Sequence, residues 1–367
     1  MRHSGLSALS GTGSGKHPSW IHGSAPLSDV VISSRVRLAR NVTGNVFPHR
    51  ATEVESARVA KQVLNAVHRF NLRTVGSLQT LDIDALSGQQ KAALVDSHLT
   101  SVPHVLAGKH RYAIVDHKHT VSVLVNEEDH IRVQVILPGL QAEAAWRTAD
   151  EIDNALLREL PVAYDPELGF LTASVANCGM GLRVSVMVHV PALTLTNRLD
   201  ATWTAAHSLD AAVRGLYGEG SQIGGNIYQV SNVVSMGSTE LQTVGKITAV
   251  ATYLQAEEAG AREILLKTQP DEMQQIVESA QVTLRDAERM SLDEGVRVLS
   301  TLRLGHLMGF DTCVTDQVFA ELLAGLRGGT QMIASPDDRA RDIFYQETRR
   351  PALFRNRIRA ERGADAA

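Results

Sequence analysis

From Val30 to Leu38 the chain is strand-like, and from Arg35 to Leu38 polar and apolar residues alternate. This period of two predicts a strand with Val36 and Leu38 on one face and Arg35 and Arg37 on the other. Thr52-x-x-Glu55 has the spacing of a capping box and opens an amphipathic helix predicted to reach about Phe70. Between Arg111 and Ile136, three β-rich runs are separated by short polar turns: Tyr112 to Val115, Thr120 to Val125 and His130 to Ile136. That is the pattern of an antiparallel meander. After Gly139 the period changes. Trp146, Ala149, Ile152, Leu156 and Leu160 recur at helical spacing and predict a helix laid on the sheet. Two more strands are predicted, Phe170 to Ser174 and Arg183 to Val190, flanking a loop with Gly179 and Gly181. Beyond Ser238 the pattern is almost wholly helical, with a capping box at Ser291-x-x-Glu294 and a cap at Thr315. The fold class is therefore α+β, a central antiparallel sheet flanked by helices. The expected division is a flexible Gly-, Ser-, His- and Pro-rich arm over residues 1–28, a catalytic domain over 29–259 and a helical C-terminal domain over 260–367.

The 367 residues, 44% of them hydrophobic, suffice for one large core or for one core and a smaller companion. A net charge of −4 with 21% charged residues lies between the disordered and the nucleic-acid-binding extremes. No apolar run approaches the roughly 20 residues of a membrane span, and no basic segment precedes an apolar one at the N-terminus. The expected setting is the cytoplasm, with neither nucleic acid nor membrane as partner. Cys178 and Cys313 are the only cysteines, which excludes a disulfide framework and a cysteine-rich metal site. His110, His117, His119 and His130 have no Cys or carboxylate at ligand spacing, so no metal site is assigned to side chains. Gly11-Thr-Gly-Ser-Gly-Lys16 imitates a phosphate loop. However, Ser10 replaces its first glycine, His17 stands where Ser or Thr would hold Mg²⁺, and no strand precedes it.

The candidate chemistry lies in the strands and their turns. Arg35 and Arg37 share a face, as do Arg132 and Gln134, and Arg183 begins a strand just after a glycine-containing loop. Singly, each arginine reads as readily as a solvated rim charge. Together they suit a polyanion, because the planar guanidinium fork matches phosphate oxygens. Asn126-Glu-Glu-Asp129 forms a turn, either a polar hairpin tip or a working pair of glutamates. Arg214-Gly-Leu-Tyr-Gly-Glu219-Gly220 sets a second carboxylate among glycines that permit a mobile lid. Carboxylates facing arginines suit phosphoryl transfer to a cationic planar acceptor: the arginines hold the donor, and a carboxylate takes the proton lost by the attacking nitrogen.

Four segments, read in order, resemble the phosphagen (guanidino) kinase family: Ser33-Ser-Arg-Val-Arg-Leu-Ala-Arg-Asn41, Asn126-Glu-Glu-Asp-His-Ile-Arg132, Gly169-Phe-Leu-Thr172 with Asn177-x-Gly-x-Gly-Leu-Arg183, and Arg214-Gly-x-x-Gly-Glu219. Pro138-Gly-Leu140, Tyr217-Gly-Glu-Gly-Ser221 and Asn226-Ile-Tyr-Gln-Val-Ser-Asn232 extend the likeness to its bacterial protein-arginine kinases, over roughly residues 19–360. The resemblance implies a guanidino-kinase catalytic domain and ATP with Mg²⁺, the metal held mainly by phosphate oxygens and water. It implies that Arg35, Arg37, Arg132, Arg183 and Arg214 hold the phosphates. Glu128 and Glu219 would orient the acceptor, one of them as base, and Ser174 and Asn177 would line the acceptor site. Arg341 and Asp342 would belong to a phosphoarginine pocket, although Tyr345 and Gln346 depart from the related Arg-Asp-x-x-Arg-Ala run. The implied partners are arginine-bearing proteins, an activator of McsA type, a Clp ATPase that degrades the marked proteins, and a second copy in a homodimer.

One departure concerns the acceptor site. Where the family reads Cys-Pro-Thr-Asn, this chain has Ser174-Val-Ala-Asn177, with Cys178 four residues after the serine. Weaker turnover or insensitivity to thiol oxidants is expected. The kinases of small metabolites also carry a helical domain ahead of the first arginine motif, whereas here that motif begins at Ser33 after the arm. An open site is expected, with arginine in a polypeptide as acceptor. The alternatives are a free-arginine kinase and a weakly catalytic phosphoarginine-binding regulator.

Overall fold

The computed structural model describes residues 25–365 except 71, 107, 216–223 and 327–342. The chain runs β1 (Val31–Arg40), α1 (Glu53–Val67), β2 (Leu78–Asp82), α2 (Gly88–Asp96), α3 (Val102–Leu106), then the meander β3 (Tyr112–Asp116), β4 (Val121–Val125) and β5 (Ile131–Pro138). Next come α4 (Ala142–Glu159), the small pair β6 (Tyr164–Asp165) and β7 (Gly169–Phe170), β8 (Leu182–His189), α5 (Pro191–Leu195), α6 (Leu199–Ser208), β9 (Ala211–Gly215) and β10 (Ile227–Asn232). The helices α7 (Glu240–Thr268), α8 (Pro270–Asp286), α9 (Leu292–Leu307), α10 (Asp316–Gly325) and α11 (Ile343–Asp365) follow.

Eight strands form one antiparallel sheet in the order β2-β3-β4-β5-β1-β8-β10-β9. The strand pairing gives the sheet two chemically distinct faces. Val36, Leu38, Val133, Val135, Val184, Val186 and Val230 line one face, buried with Ala145, Ala149, Ile152 and Leu156 of α4 and with Val244, Ile247 and Leu254 of α7. Each of the fully buried valine, leucine and isoleucine side chains contributes about 2 kcal/mol of transfer free energy. The other face carries Arg35, Arg37, Arg132, Gln134, Arg183 and Ser185, and among the described residues apolar packing covers it toward its two ends. At the β3–β4 side, Ala113, Val115 and Leu124 pack with Leu94 and Leu99. At the other end, Ile32 and Ile227 pack with Leu299, Val314 and Phe319 of the C-terminal helices. The arginines occupy the gap between these two covers.

The predicted elements are present, with differences at several boundaries. Thr52 caps α1 with a reciprocal capping box, but the helix stops at Val67 with His68 as its C-cap. Ser291 accepts from the Glu294 N–H at 3.2 Å and Thr315 accepts from the Val318 N–H at 3.3 Å. Phe170 to Ser174 is not a strand beyond Phe170. There the backbone turns to side chains for partners: the Ala173 N–H donates to Asp129, and the Leu171 carbonyl accepts from Asn41. The expected boundary at residue 260 falls inside α7.

Charged groups tie the C-terminal helices to the ends of the central strands. Arg262 pairs with Asp29 at 2.5 Å, and Arg303 pairs with Asp316 at 3.1 Å while also donating to the Ser28 carbonyl just before β1. His189, at the end of β8, shares a 2.8 Å hydrogen bond with Ser300 of α9. Buried Glu258 accepts the backbone N–H groups of Ala192 and Leu193, both at 2.9 Å.

Candidate active site

Arg37 stands directly opposite Gln134 of β5 and Arg183 of β8, while Arg132 lies opposite Ala39, two residues further along β1. Strand spacing thus brings together four guanidinium groups from three strands that are far apart in sequence. Arg35 donates from Nε to Gln134 Oε1 at 2.7 Å, and the Gln134 amide in turn donates to Ser122 Oγ at 3.1 Å. Arg183 donates to Ser231 Oγ at 3.0 Å. Burial, then the neighbouring Arg132 and Arg183, lower the Arg35 pKa to about 10. Burial, then Arg35, Arg132 and Arg183, push Arg37 well below its ordinary value. The Arg37 Nε is buried with no hydrogen-bond partner among the described residues. A site of this kind favours a bound anion, which would relieve both the repulsion and the unmet donor.

Glu127, Glu128 and Asp129 follow one another in a hairpin tip opened by Asn126, which has a left-handed φ of 57°. The Asn126 amide donates to the carbonyls of Ser56 and His110, both at 2.9 Å, and this anchors the tip. Arg132 reaches back into the tip, 2.6 Å from Glu127 and 2.5 Å from Glu128. Burial alone would lower the Arg132 pKa, but Glu127 and then Glu128 and Asp129 outweigh it, so the guanidinium stays charged. Burial opposes the charge of Glu127, but Arg132 and the Ser101 hydroxyl, 2.6 Å away, hold its pKa below the usual range. Glu128 is 44% exposed, against 6% for Glu127.

Arg37, Glu128, Arg132, Asn177, Gly181 and Arg183 line a small cleft of about 70 Å³ together with Leu38 and Ala39. Gly181 has φ +62°, and a Cβ there would lie 2.5 Å from Arg40 Nη1 and 2.7 Å from the Ala39 carbonyl, so glycine allows the loop to close against β1. Arg40 is on the opposite face from Arg37. It is buried against Asp153 at 2.7 Å, with its guanidinium 3.6 Å from the Phe170 ring centroid, and so supports the loop from behind. Ser174 precedes the 3₁₀ turn Val175–Asn177 that delivers Asn177 to the cleft. The Cys178 sulfur lies 3.4 Å from Thr172 Oγ1 and near the carbonyls of Thr172 and Ser174.

Not every expected site residue belongs to this cluster. Arg214 shares the arginine face but lies opposite Gln229, which in turn lies opposite Met187, four residues along β8 from Arg183. That offset is about 13 Å along the strand. Glu219, Arg341 and Asp342 lie outside the described residues. No group of three or more potential metal-ligating side chains occurs among the described residues. His130 spends both ring nitrogens on backbone, accepting from the Val42 N–H at 3.1 Å and donating to the Val46 carbonyl at 2.9 Å.

Asn41 and Asp129 received no role from the sequence pattern, yet they join three parts of the site. Asn41 accepts from the His130 N–H at 2.9 Å and donates to Asp129 at 2.7 Å and to the Leu171 carbonyl at 3.0 Å. Neither spacing nor composition could have singled them out, because the connection forms only when β1, the acidic tip and the segment after β7 meet.

The profile of the family described as ATP:guanido phosphotransferase, C-terminal catalytic domain, matches residues 58–261. The chain belongs to this family. The protein-arginine kinase of Halothermothrix orenii is 39% identical over 84% of this chain and 87% of its own, and that of Symbiobacterium thermophilum is 34% identical over 93% and 96%. Among solved structures, a lombricine kinase matches with a TM-score of 0.56 at 22% identity, over 63% of this chain and 66% of its own. The substrate-free duplicated taurocyamine kinase from Schistosoma mansoni matches with a TM-score of 0.57 at 24% identity, over 79% of this chain and 44% of its own. These likenesses show the guanidino-kinase fold. As an ATP:guanido phosphotransferase, the chain takes its phosphoryl group from a nucleotide, and the arginine face of the sheet suits that anion.

Proposed function

We propose that the chain is a protein-arginine kinase that transfers the γ-phosphoryl group of ATP to the guanidinium of arginine residues in proteins. The observation that carries this reading is the convergence of Arg37, Arg132, Arg183, Glu128 and Asn177 on one cleft, with Arg35 beside it. Family membership and the protein-arginine kinases of similar length support the choice of acceptor.

When bound, ATP supplies the γ-phosphoryl group, with Mg²⁺ held by phosphate oxygens and water. Arg35, Arg37, Arg132 and Arg183 hold the phosphates, and Arg214 reaches the same anion from further along the face. The bidentate forks neutralise the charge that spreads over the transferred group. Glu128 and Glu219 orient the acceptor guanidinium with Ser174 and Asn177. An N–P bond forms as the bond from the γ-phosphorus to the leaving ADP oxygen breaks, and one of the two carboxylates takes the proton lost by the nitrogen. In the structure Glu128 is bonded to Arg132, so its carboxylate must release that guanidinium to turn to the acceptor.

Further parts of this reading are a cytoplasmic setting, a phosphoarginine pocket at Arg341 and Asp342, an activator of McsA type, delivery of marked proteins to a Clp ATPase, and a homodimer. The division at residues 28 and 259 belongs to it as well. No helix of the described residues is long and apolar enough to cross a membrane. The test is incubation with MgATP and an unfolded arginine-bearing polypeptide, followed by mass analysis for acid-labile phosphate on arginine. An equal yield from the same polypeptide with every arginine replaced by lysine would refute the reading.

A further inference from the structure

Asp129 is fully buried, yet its two carboxylate oxygens are used very differently. Oδ1 accepts from Asn41 Nδ2 and from the Ala173 N–H, each at 2.7 Å. Oδ2 has no hydrogen-bond partner among the described residues and lies 3.7 Å from Arg132 Nη2. A buried carboxylate with one unmet oxygen costs free energy, so its placement calls for a reason. Two elements meet there. One is Arg132, on the arginine face. The other is the 171–177 segment, whose turn delivers Asn177 to the cleft that Arg132 also lines.

We propose that Asp129 is a positioning residue that holds Arg132 and the 171–177 segment in fixed relation, so that the phosphate-holding and acceptor-orienting walls of the cleft are set by one carboxylate. Its Oδ1 fixes the segment through Ala173 and Asn41, and its Oδ2 bears on Arg132 through charge from 3.7 Å, beneath the shorter contacts that Glu127 and Glu128 make with the same guanidinium. Asp129 touches no reacting atom. The proposal deepens the phosphotransferase reading and rests on it for its kinetic consequence, but not for its structural one.

Two variants separate the halves of this arrangement. Asp129→Asn keeps an oxygen for Asn41 and Ala173 and turns an amide NH₂ toward Arg132. Asn41→Ala removes the donor to Asp129 and Leu171 together with the acceptor of the His130 N–H, and leaves the Asp129 carboxylate itself in place beside Arg132. Both should lower kcat for phosphorylation of an unfolded arginine-bearing polypeptide by at least about fivefold, since displacements of about 1 Å can cost up to 10²-fold. MgATP affinity should stay within about threefold, because the remaining arginines still hold the phosphates. Calorimetric MgATP stoichiometry should be unchanged. A smaller kcat loss in both, or one matched by an equal fall in stoichiometry, overturns the proposal. If Asp129→Asn does not fold, Asn41→Ala decides on the same threshold. A second readout needs no turnover: Cys178 directly follows the held segment, and its alkylation should be faster in both variants at a temperature where both remain folded. Unchanged alkylation overturns the proposal even if the wild type proves inactive on arginine, a result that would by itself count only against the kinase reading.

Discussion

Three consecutive carboxylates at the acidic tip have three different surroundings, and chemistry follows surroundings rather than residue type. Glu127 is buried and spent on Arg132 and Ser101; Asp129 is buried and spent on backbone and Asn41; only Glu128 is both exposed and on the cleft wall. Glu128→Gln should therefore cut turnover by about 10² or more, the usual cost of losing a base, with ATP affinity nearly unchanged. Glu219→Gln should behave alike. Steady-state kinetics beside calorimetry checks both, and near-wild-type turnover in either variant removes that residue from its role. The arginines of the cleft were legible in sequence because alternation places Arg35 with Arg37 and Arg132 with Gln134. That Arg37 faces Arg183 was not, because strand order and register are set by pairing partners distant in sequence.

At the scale of elements, the segment between β7 and β8 departs most from its sequence pattern. Its apolar and small residues read as a strand, but Asn41, just after β1, and Asp129 of the acidic tip capture its backbone groups ahead of the turn that carries Asn177. Local propensity loses here to tertiary hydrogen bonds. Ser174 leaves the turn without the thiol expected from family resemblance, and Cys178 is directed at Thr172 and at nearby carbonyls. Thiol-directed reagents should therefore leave wild-type turnover largely intact, whereas Ser174→Cys should raise turnover or create sensitivity to oxidants. Strong inactivation of the wild type that Cys178→Ser abolishes would place the thiol in the site. The starts of α1, α9 and α10 were legible, since the capping residues Thr52, Ser291 and Thr315 announce themselves locally, whereas the short helices α2, α3, α5 and α6 were not read.

Across the whole molecule, the sheet's apolar face makes the core and its polar face makes the site, while the C-terminal helices grip the ends of β1 and β8 through buried charges. That seam was not legible in sequence, because its members are scattered from Asp29 to Asp316. It has a measurable consequence in Glu258. Burial raises this carboxyl from 4.5 to about 7, against the opposing pull of the Ala192 and Leu193 N–H groups, Arg262 and Arg303. Between those values the folded state keeps a proton that the unfolded chain releases, so the contribution of Glu258 to stability falls as pH rises from 4.5 to 7. Relative to Glu258→Gln, the wild-type melting temperature should drop by a few degrees across this window. His189, lowered by burial and then by Arg303 and Arg262, has the opposite slope and cancels in the difference because both proteins carry it. Parallel melting curves across the window would show that Glu258 is ionised throughout.

The most direct test of the central claim is the specificity constant for phosphoryl transfer from MgATP, measured with free arginine and with an unfolded arginine-bearing polypeptide as competing acceptors. The cleft of Arg37, Arg132, Arg183 and Glu128 should act on arginine within the chain, with kcat/KM for the polypeptide exceeding that for the free amino acid. An equal or higher kcat/KM for free arginine would contradict the account.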